Sequence, residues 1–231
     1  GSLEVINDEA IVGEAFIADP QELRIKSQDY FATQSRAVTK EDYISLAYRI
    51  PPQFGAIKRC NITHDNDSFK RNLNLYVLSE DVNGFLATSN HTIKQNLKTW
   101  LQRYKMINDT IDILDGKVVN FGIDFIAVSD YGVNKVEVFN SVIRNLSNFV
   151  FSPMDMGQTL YITDIYEVIN ETVGVVDVTN IKLKNLVGGR YSGVVYEFDD
   201  FISSDGRYVR VPNNYILEMK FPKQDIRGTV R

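Results

Sequence analysis

The sequence predicts an α+β protein: a mixed sheet with helices packed on one face, followed by a β-hairpin-rich C-terminal part. Three observations carry that expectation. Val119, Phe121, Ile123, Phe125 and Ala127 alternate with Asn120, Gly122 and Asp124, the period of two that marks a half-buried strand. Ile93, Leu97, Trp100, Leu101 and Tyr104 recur at the spacing that lines one face of a helix, with Lys94, Gln95, Lys98, Gln102, Arg103 and Lys105 around the rest. Beyond Leu186 the pairs Gly188-Gly189 and Asp205-Gly206, with Gly193, supply residues that tolerate the positive φ of tight turns.

Taken in order, residues 1–35 read as strands and turns, with an apolar patch (Ile11, Val12, Ala15, Phe16, Ile17) ahead of Asp19-Pro20. Thr39 followed by Glu41 and Asp42 is a helix start: a hydroxyl meets an orphan backbone N–H and acids sit at the positive end of the dipole. Tyr43, Leu46, Ala47 and Ile50 form its inner stripe, and Pro51-Pro52 ends it. Strands are expected at 56–62 and 73–78, joined by a polar turn through His64 and Ser68, then a helix over 90–107. After the alternating strand around Val119 come a helix over 134–147, with Val136, Phe139, Val142, Ile143 and Leu146 inward, and another from Thr163 to a left-handed stop at Gly174, with Ile165, Tyr166 and Ile169 inward. A strand over 175–183 follows, then hairpins, a last strand with Tyr215, Leu217 and Met219 alternating, and a solvated tail over 220–231. The expected domains are an N-terminal β/turn segment (1–35), a central α+β domain (36–186) and a hairpin subdomain with its tail (187–231).

Composition narrows the function classes. In 231 residues, 44% hydrophobic and 24% charged with 14 Gly and 6 Pro describe a folded globular chain, and no apolar run reaches the roughly 18 to 20 residues of a spanning helix. Lys and Arg number 25 against 30 Asp and Glu, a net charge of −5, which argues against nucleic acid as partner; no membrane partner is expected either. One cysteine, Cys60, allows neither an internal disulfide nor a multi-cysteine zinc site and fits a reducing compartment. Six Asn-x-Ser/Thr sequons (Asn61, Asn66, Asn90, Asn108, Asn145, Asn170) are what a chain rich in Asn and Thr produces by chance. Gly1-Ser2 reads as a cloning remnant, so the chain is expected to continue from a missing upstream region.

Searching for chemistry yields little. His64-Asp65-Asn66-Asp67 offers an imidazole and two carboxylates, but Phe69 and Lys70 stand where a calcium loop needs an oxygen ligand and a glycine, and a solvated turn is the better reading. With only His64 and His91, a His-rich metal centre is excluded. Cys60 reads as a small buried apolar residue rather than a reactive thiol. Gly188-Gly189-Arg190 misses the spacing of a dinucleotide loop and precedes no helical pattern. Asp112 with Asp115, and Asp199 with Asp200, read as surface turns, and Trp100 with Tyr104 as core rather than a base-stacking platform. No catalytic, cofactor-binding or metal residue is assigned and no cofactor is expected. An enzyme or small-ligand module using residues 64–67 is the alternative reading.

Residues 35–43 (Ser-Arg-Ala-Val-Thr-Lys-Glu-Asp-Tyr) and 48–59 (Tyr-Arg-Ile-Pro-Pro-Gln-Phe-Gly-Ala-Ile-Lys-Arg) resemble the baseplate J-like family of contractile-tailed phages and related injection machines. Residues 68–81, 92–101 and 104–115 are similar to the carboxy-terminal portion of the wedge-ring subunits of T-even phage baseplates, and the resemblance covers about 34–186. It implies a structural virion protein, not an enzyme. Such a protein is assembled in the host bacterial cytoplasm, pairs with copies of itself and with other baseplate wedge proteins, contributes dimer and ring contacts around the tail hub, and rearranges on sheath contraction. The many aromatics, 12 Tyr and 13 Phe, suit interfaces, and residues 191–219 and the N-terminal segment are the candidate contact regions.

Overall fold

A computed structural model describes residues 36–65, 72–150 and 154–231, so the strands and turns expected over 1–35 lie outside the described residues. The chain divides into two compact units, Gly1–Asp115 and Gly116–Arg231, and the boundary falls inside the 36–186 stretch that the sequence reads as one domain. Both units mix helices with sheet, and the fold is α+β.

In the first unit, helix α1 (Lys40–Tyr48) starts where Thr39 predicts. Asp42 N–H donates to the Thr39 hydroxyl at 3.2 Å, and Thr39 N–H donates to the Asp42 carboxylate at 2.9 Å, a reciprocal box that satisfies two orphan donors. Strands β1 (Arg59–His64) and β2 (Asn72–Glu80) pair antiparallel from Arg59 opposite Leu78 to His64 opposite Leu73. Strand β3 (Leu86–Thr88) folds back on the end of β2, and β4 (Thr110–Asp115) runs parallel to its start. Leu73, Leu75 and Val77 point to one face, as their alternation requires, and meet Tyr43, Leu46 and Ala47 of α1 with Leu97 and Leu101 of helix α2 (His91–Leu101). Helix α2 ends six residues short of the expected Ile107. Arg103 N–H and Tyr104 N–H donate to the carbonyls of Trp100 and Leu101, tightening the turn, and the Tyr104 carbonyl then accepts from Ala37 N–H at 2.9 Å.

The second unit is built around β5 (Lys117–Ser129). On one side it pairs antiparallel with β7 (Val175–Asn185); on the other it pairs parallel with β9 (Tyr215–Glu218) and then β10 (Ile226–Val230). Helices α3 (Lys135–Val150) and α4 (Ile162–Asn170) contribute Val138, Val142, Leu146, Ile165 and Ile169 to a core shared with Val119, Phe121, Ile123, Phe125 and Ala127. The short strands β6 (Leu160–Tyr161) and β8 (Tyr208–Val209) pair antiparallel. Two short helices, α5 (Phe198–Phe201) and α6 (Pro222–Asp225), complete it.

Several expectations are corrected. Over 118–123 strand β5 is buried on both faces, where Asn120 is fully buried and a Cβ on Gly122 would lie 2.7 Å from the Asp225 carbonyl oxygen; over 124–129 it keeps the expected alternation, with Phe125 and Ala127 buried and Val128 exposed. Asp112 and Asp115 lie in β4, because parallel pairing with β2 turns what reads as a turn into a strand. The inward position of α3 is Val138, not Val136, which is 66% exposed. Helix α4 stops at Asn170, and Gly174 takes its positive φ of 92° in the turn beyond. The C-terminal part holds one hairpin-like turn, in which Gly206 N–H donates to Ser203, Ser203 N–H donates to Tyr208, and Ile202 bridges Val209. Strands β9 and β10 run parallel to β5 instead, which no hairpin achieves. The expected solvated tail over 220–231 thus forms α6 and β10, with Ile226 2% exposed.

Candidate functional site

The sequence offered residues 64–67 as its most site-like cluster. His64 ends β1 with its side chain exposed, Asp65 follows, and Asn66 and Asp67 lie outside the described residues. Beside His64 is a cavity of about 360 Å³ whose walls include Val38, Tyr43, Ile62 and Leu73, with Asp109 among its polar groups. Asp109 is committed to the fold: the Tyr43 hydroxyl donates to its carboxylate at 2.7 Å, and the Lys105 ammonium donates to its backbone carbonyl at 2.7 Å. Burial, and then the bond to Asp109, hold the Tyr43 hydroxyl well above the usual phenol range, so it remains a proton donor. Among the described residues no three His, Cys, Asp or Glu side chains gather in a group that could hold a metal.

The other candidates are accounted for by packing. Asp115 pairs with Lys94 at 2.8 Å and Asp112 lies 3.7 Å from Lys98, so both carboxylates hold α2 against the sheet; Asn72 also donates to Asp112 at 3.0 Å. Cys60 is buried at 6% exposure, its thiol donating to the Ile44 carbonyl at 3.8 Å. Trp100 donates its indole N–H to the Leu46 carbonyl at 3.0 Å and packs at 5.1 Å between ring centroids on Tyr104, against the core. In the Gly188-Gly189-Arg190 turn, Gly188 N–H donates to the Ser192 carbonyl, and the Arg190 guanidinium donates to Gln224 at 3.0 Å while lying 4.6 Å over the Phe221 ring. Asp199 and Asp200 are exposed in the first turn of α5.

The aromatics of 191–219, expected at contact surfaces, turn largely inward. Tyr196 stacks on Phe201 with centroids 4.6 Å apart, meets Phe198 edge-on at 5.1 Å and donates its hydroxyl to the Arg210 carbonyl at 2.7 Å. Burial, reinforced by nearby Tyr215, pushes that hydroxyl up to about 12.

Two polar anchors were missed by the sequence reading. Asn120 donates to the Glu218 carboxylate at 3.0 Å and accepts from Ser192 N–H at 2.7 Å, tying β9 and the 188–192 turn to β5. Asp225 is 5% exposed and accepts from the Tyr191 hydroxyl at 2.5 Å and from Phe221 N–H at 2.8 Å. Asn120 is flanked by Val119 and Phe121 and looks like the outward position of an alternating strand, and apart from Phe221 the named partners lie 34 to 98 residues away. These anchors hold a scaffold together and present no reacting group to solvent.

This fold resembles a baseplate chain. A chain in the cryo-EM structure of the anti-feeding prophage (AFP) baseplate, 6-fold symmetrised, matches with a TM-score of 0.52 at 10% sequence identity, over 88% of this chain. This chain spans 42% of that chain's length. At such identity the likeness is one of fold. No protein-family model matches the chain, and no curated protein matches it. Among the described residues no helix is long and apolar enough to cross a membrane.

Proposed function

We propose that this chain is a structural subunit of a contractile-tail baseplate wedge. In this reading it pairs with copies of itself and with other wedge proteins, contributes to a ring around the tail hub, and rearranges when the sheath contracts. It acts in the virion tail after assembly in the host bacterial cytoplasm, and carries out no catalysis.

The observation that carries the reading is the likeness in fold to a baseplate chain over 88% of this chain. The resemblance of residues 35–59 and 68–115 to baseplate proteins points the same way from the sequence side. The carboxylate pair Asp112 and Asp115 is engaged in holding the 91–101 helix against the sheet, and the buried Asp109 is held by Tyr43, which suits a part that must transmit force rather than turn over a substrate.

A ring of copies needs more than one self-contact surface, because a single isologous contact closes at the dimer. Light scattering over a concentration series tests this: mass rising through a dimer toward larger species is expected, and a strictly monomeric species at high concentration contradicts it.

A further inference from the structure

The sheet of the second unit has two unlike faces. One carries Ile123, Phe125 and Ala127 into the core shared with α3 and α4. The strand registers turn Asp124, Ile126 and Val128 of β5 to the other, between Lys182 and Lys184 of β7 and Arg227 of β10. Leu186 and α6 close over that second face at Gly122. Beyond it the face is open, with Val128, Lys182, Lys184 and Arg227 all exposed.

This open face is cationic in a chain whose net charge is −5. Arg190 and Lys223 extend the cations of β7 and β10 at the α6 end, where Gln224 accepts from the Arg190 guanidinium at 3.0 Å and, through its backbone carbonyl, from Arg227 at 3.3 Å. The nearby carboxylates leave most of this charge unanswered. Asp124 pairs with Lys184, Asp177 accepts from Val178 N–H at 2.8 Å, and Asp225 is buried on the Tyr191 hydroxyl. Lys182, Arg190, Lys223 and Arg227 form no ion pair among the described residues. Cations gathered on one face attract a partner of the opposite sign. Ile126 and Val128 add an apolar strip, and no aromatic stands between these strand positions for a base to stack on, so the face suits a polypeptide better than a nucleic acid.

The sequence holds a segment of matching chemistry. Residues 3–23 carry six acids (Glu4, Asp8, Glu9, Glu14, Asp19 and Glu22) and no Lys or Arg, with Ile11, Val12, Phe16 and Ile17 among them. Passing such a segment from one copy to the next joins unlike surfaces. Every copy then keeps a segment to give and a face to fill, which lets copies close into a ring, whereas a twofold contact stops at the dimer.

We propose that the face formed by Lys182, Lys184 and Arg227 receives the acidic stretch 3–23 of a neighbouring copy. The inference rests on the self-association reading above and adds which segment is given, which face receives it, and that the contact runs head to tail.

Two charge-reversed variants of the whole chain test it by light scattering at low salt. One carries Lys182→Glu, Lys223→Glu and Arg227→Glu on the face; the other carries Glu4→Lys, Glu9→Lys and Glu14→Lys in the stretch. Each alone should associate about tenfold more weakly than the unaltered chain, the face variant with an unchanged thermal melt because its altered side chains lie outside the core. An equimolar mixture should recover the association, since each variant supplies the sign that the other has lost. Added salt should weaken the association of the unaltered chain as well. Variants that associate as well as the unaltered chain, a mixture as weak as its components, or an association indifferent to salt would overturn the assignment while self-association stands. Loss in the face variant alone gives the face to a different acidic partner and overturns it equally. An unaltered chain that stays monomeric throughout the concentration series overturns both readings.

Discussion

Replacing Gly228 by alanine puts a methyl group where the Phe125 ring already lies. Gly228 sits in β10 directly beside Phe125 of β5, and its added Cβ would be 2.6 Å from the ring's Cδ1 and Cε1 and 2.7 Å from Cζ. The ring has nowhere to go, because Phe125 is 1% exposed and stacks on Phe139 with centroids 6.1 Å apart. Overpacking of this kind costs about 1 to 3 kcal/mol, which lowers the melting temperature of a unit this size by about 4 to 12 °C. A solvated tail would show no such loss, since Gly→Ala there meets no side chain and acts alike on the folded and the unfolded chain. Calorimetric melting of Gly228→Ala against the unaltered chain decides between them. The double variant Gly228→Ala/Phe125→Leu should recover part of the loss, because the smaller side chain yields the space. A Gly228→Ala melt at or above that of the unaltered chain refutes the docking of β10 against β5.

Other outcomes follow from the same contacts. Thr39→Ala removes one half of the capping box of α1 and should cost about 1 kcal/mol in urea denaturation, whereas Thr39→Asn should retain most of the stability. Tyr43→Phe deletes the hydroxyl that donates to the buried Asp109 carboxylate and should cost about 1 to 3 kcal/mol, measured in the same way. Stability should fall at alkaline pH: the Tyr196 hydroxyl is raised from 10.0 to about 12 by burial and nearby Tyr215, so its contribution is complete below pH 10 and is lost as pH rises through about 12. That loss is at most on the order of 2 to 3 kcal/mol, and Tyr196→Phe should make the fall of the urea midpoint in that window shallower without abolishing it, because the Tyr43 hydroxyl, also raised by burial, loses stability there too.

Local signals in the sequence survive folding best where the partner is near in the chain. Thr39 and Asp42 cap α1 from within four residues, and the alternation of Leu73, Leu75 and Val77 sets the inner face of β2 whatever lies beside it. What was not legible depends on distant pairing. Asp112 and Asp115 look like turn residues until β2 is laid parallel to them. Residues 220–231 look like a tail until β5, about a hundred residues earlier, supplies the neighbour for Ile226 and Gly228. Asn120 reads as a solvent-facing position because nothing adjacent shows that Ser192 and Glu218 will close over it. The candidate site followed the same rule: Cys60 and Trp100 were read correctly as core from their own stripes, while the basic face of Lys182, Lys184 and Arg227 emerges only when β7 and β10 are laid on either side of β5.

Electron microscopy of contractile-tail particles carrying a labelled copy of this chain tests the central claim most directly. The baseplate reading predicts label density confined to the baseplate end of the tail, repeated around the axis. Label distributed along the sheath, or particles that assemble complete baseplates without any label, would contradict it.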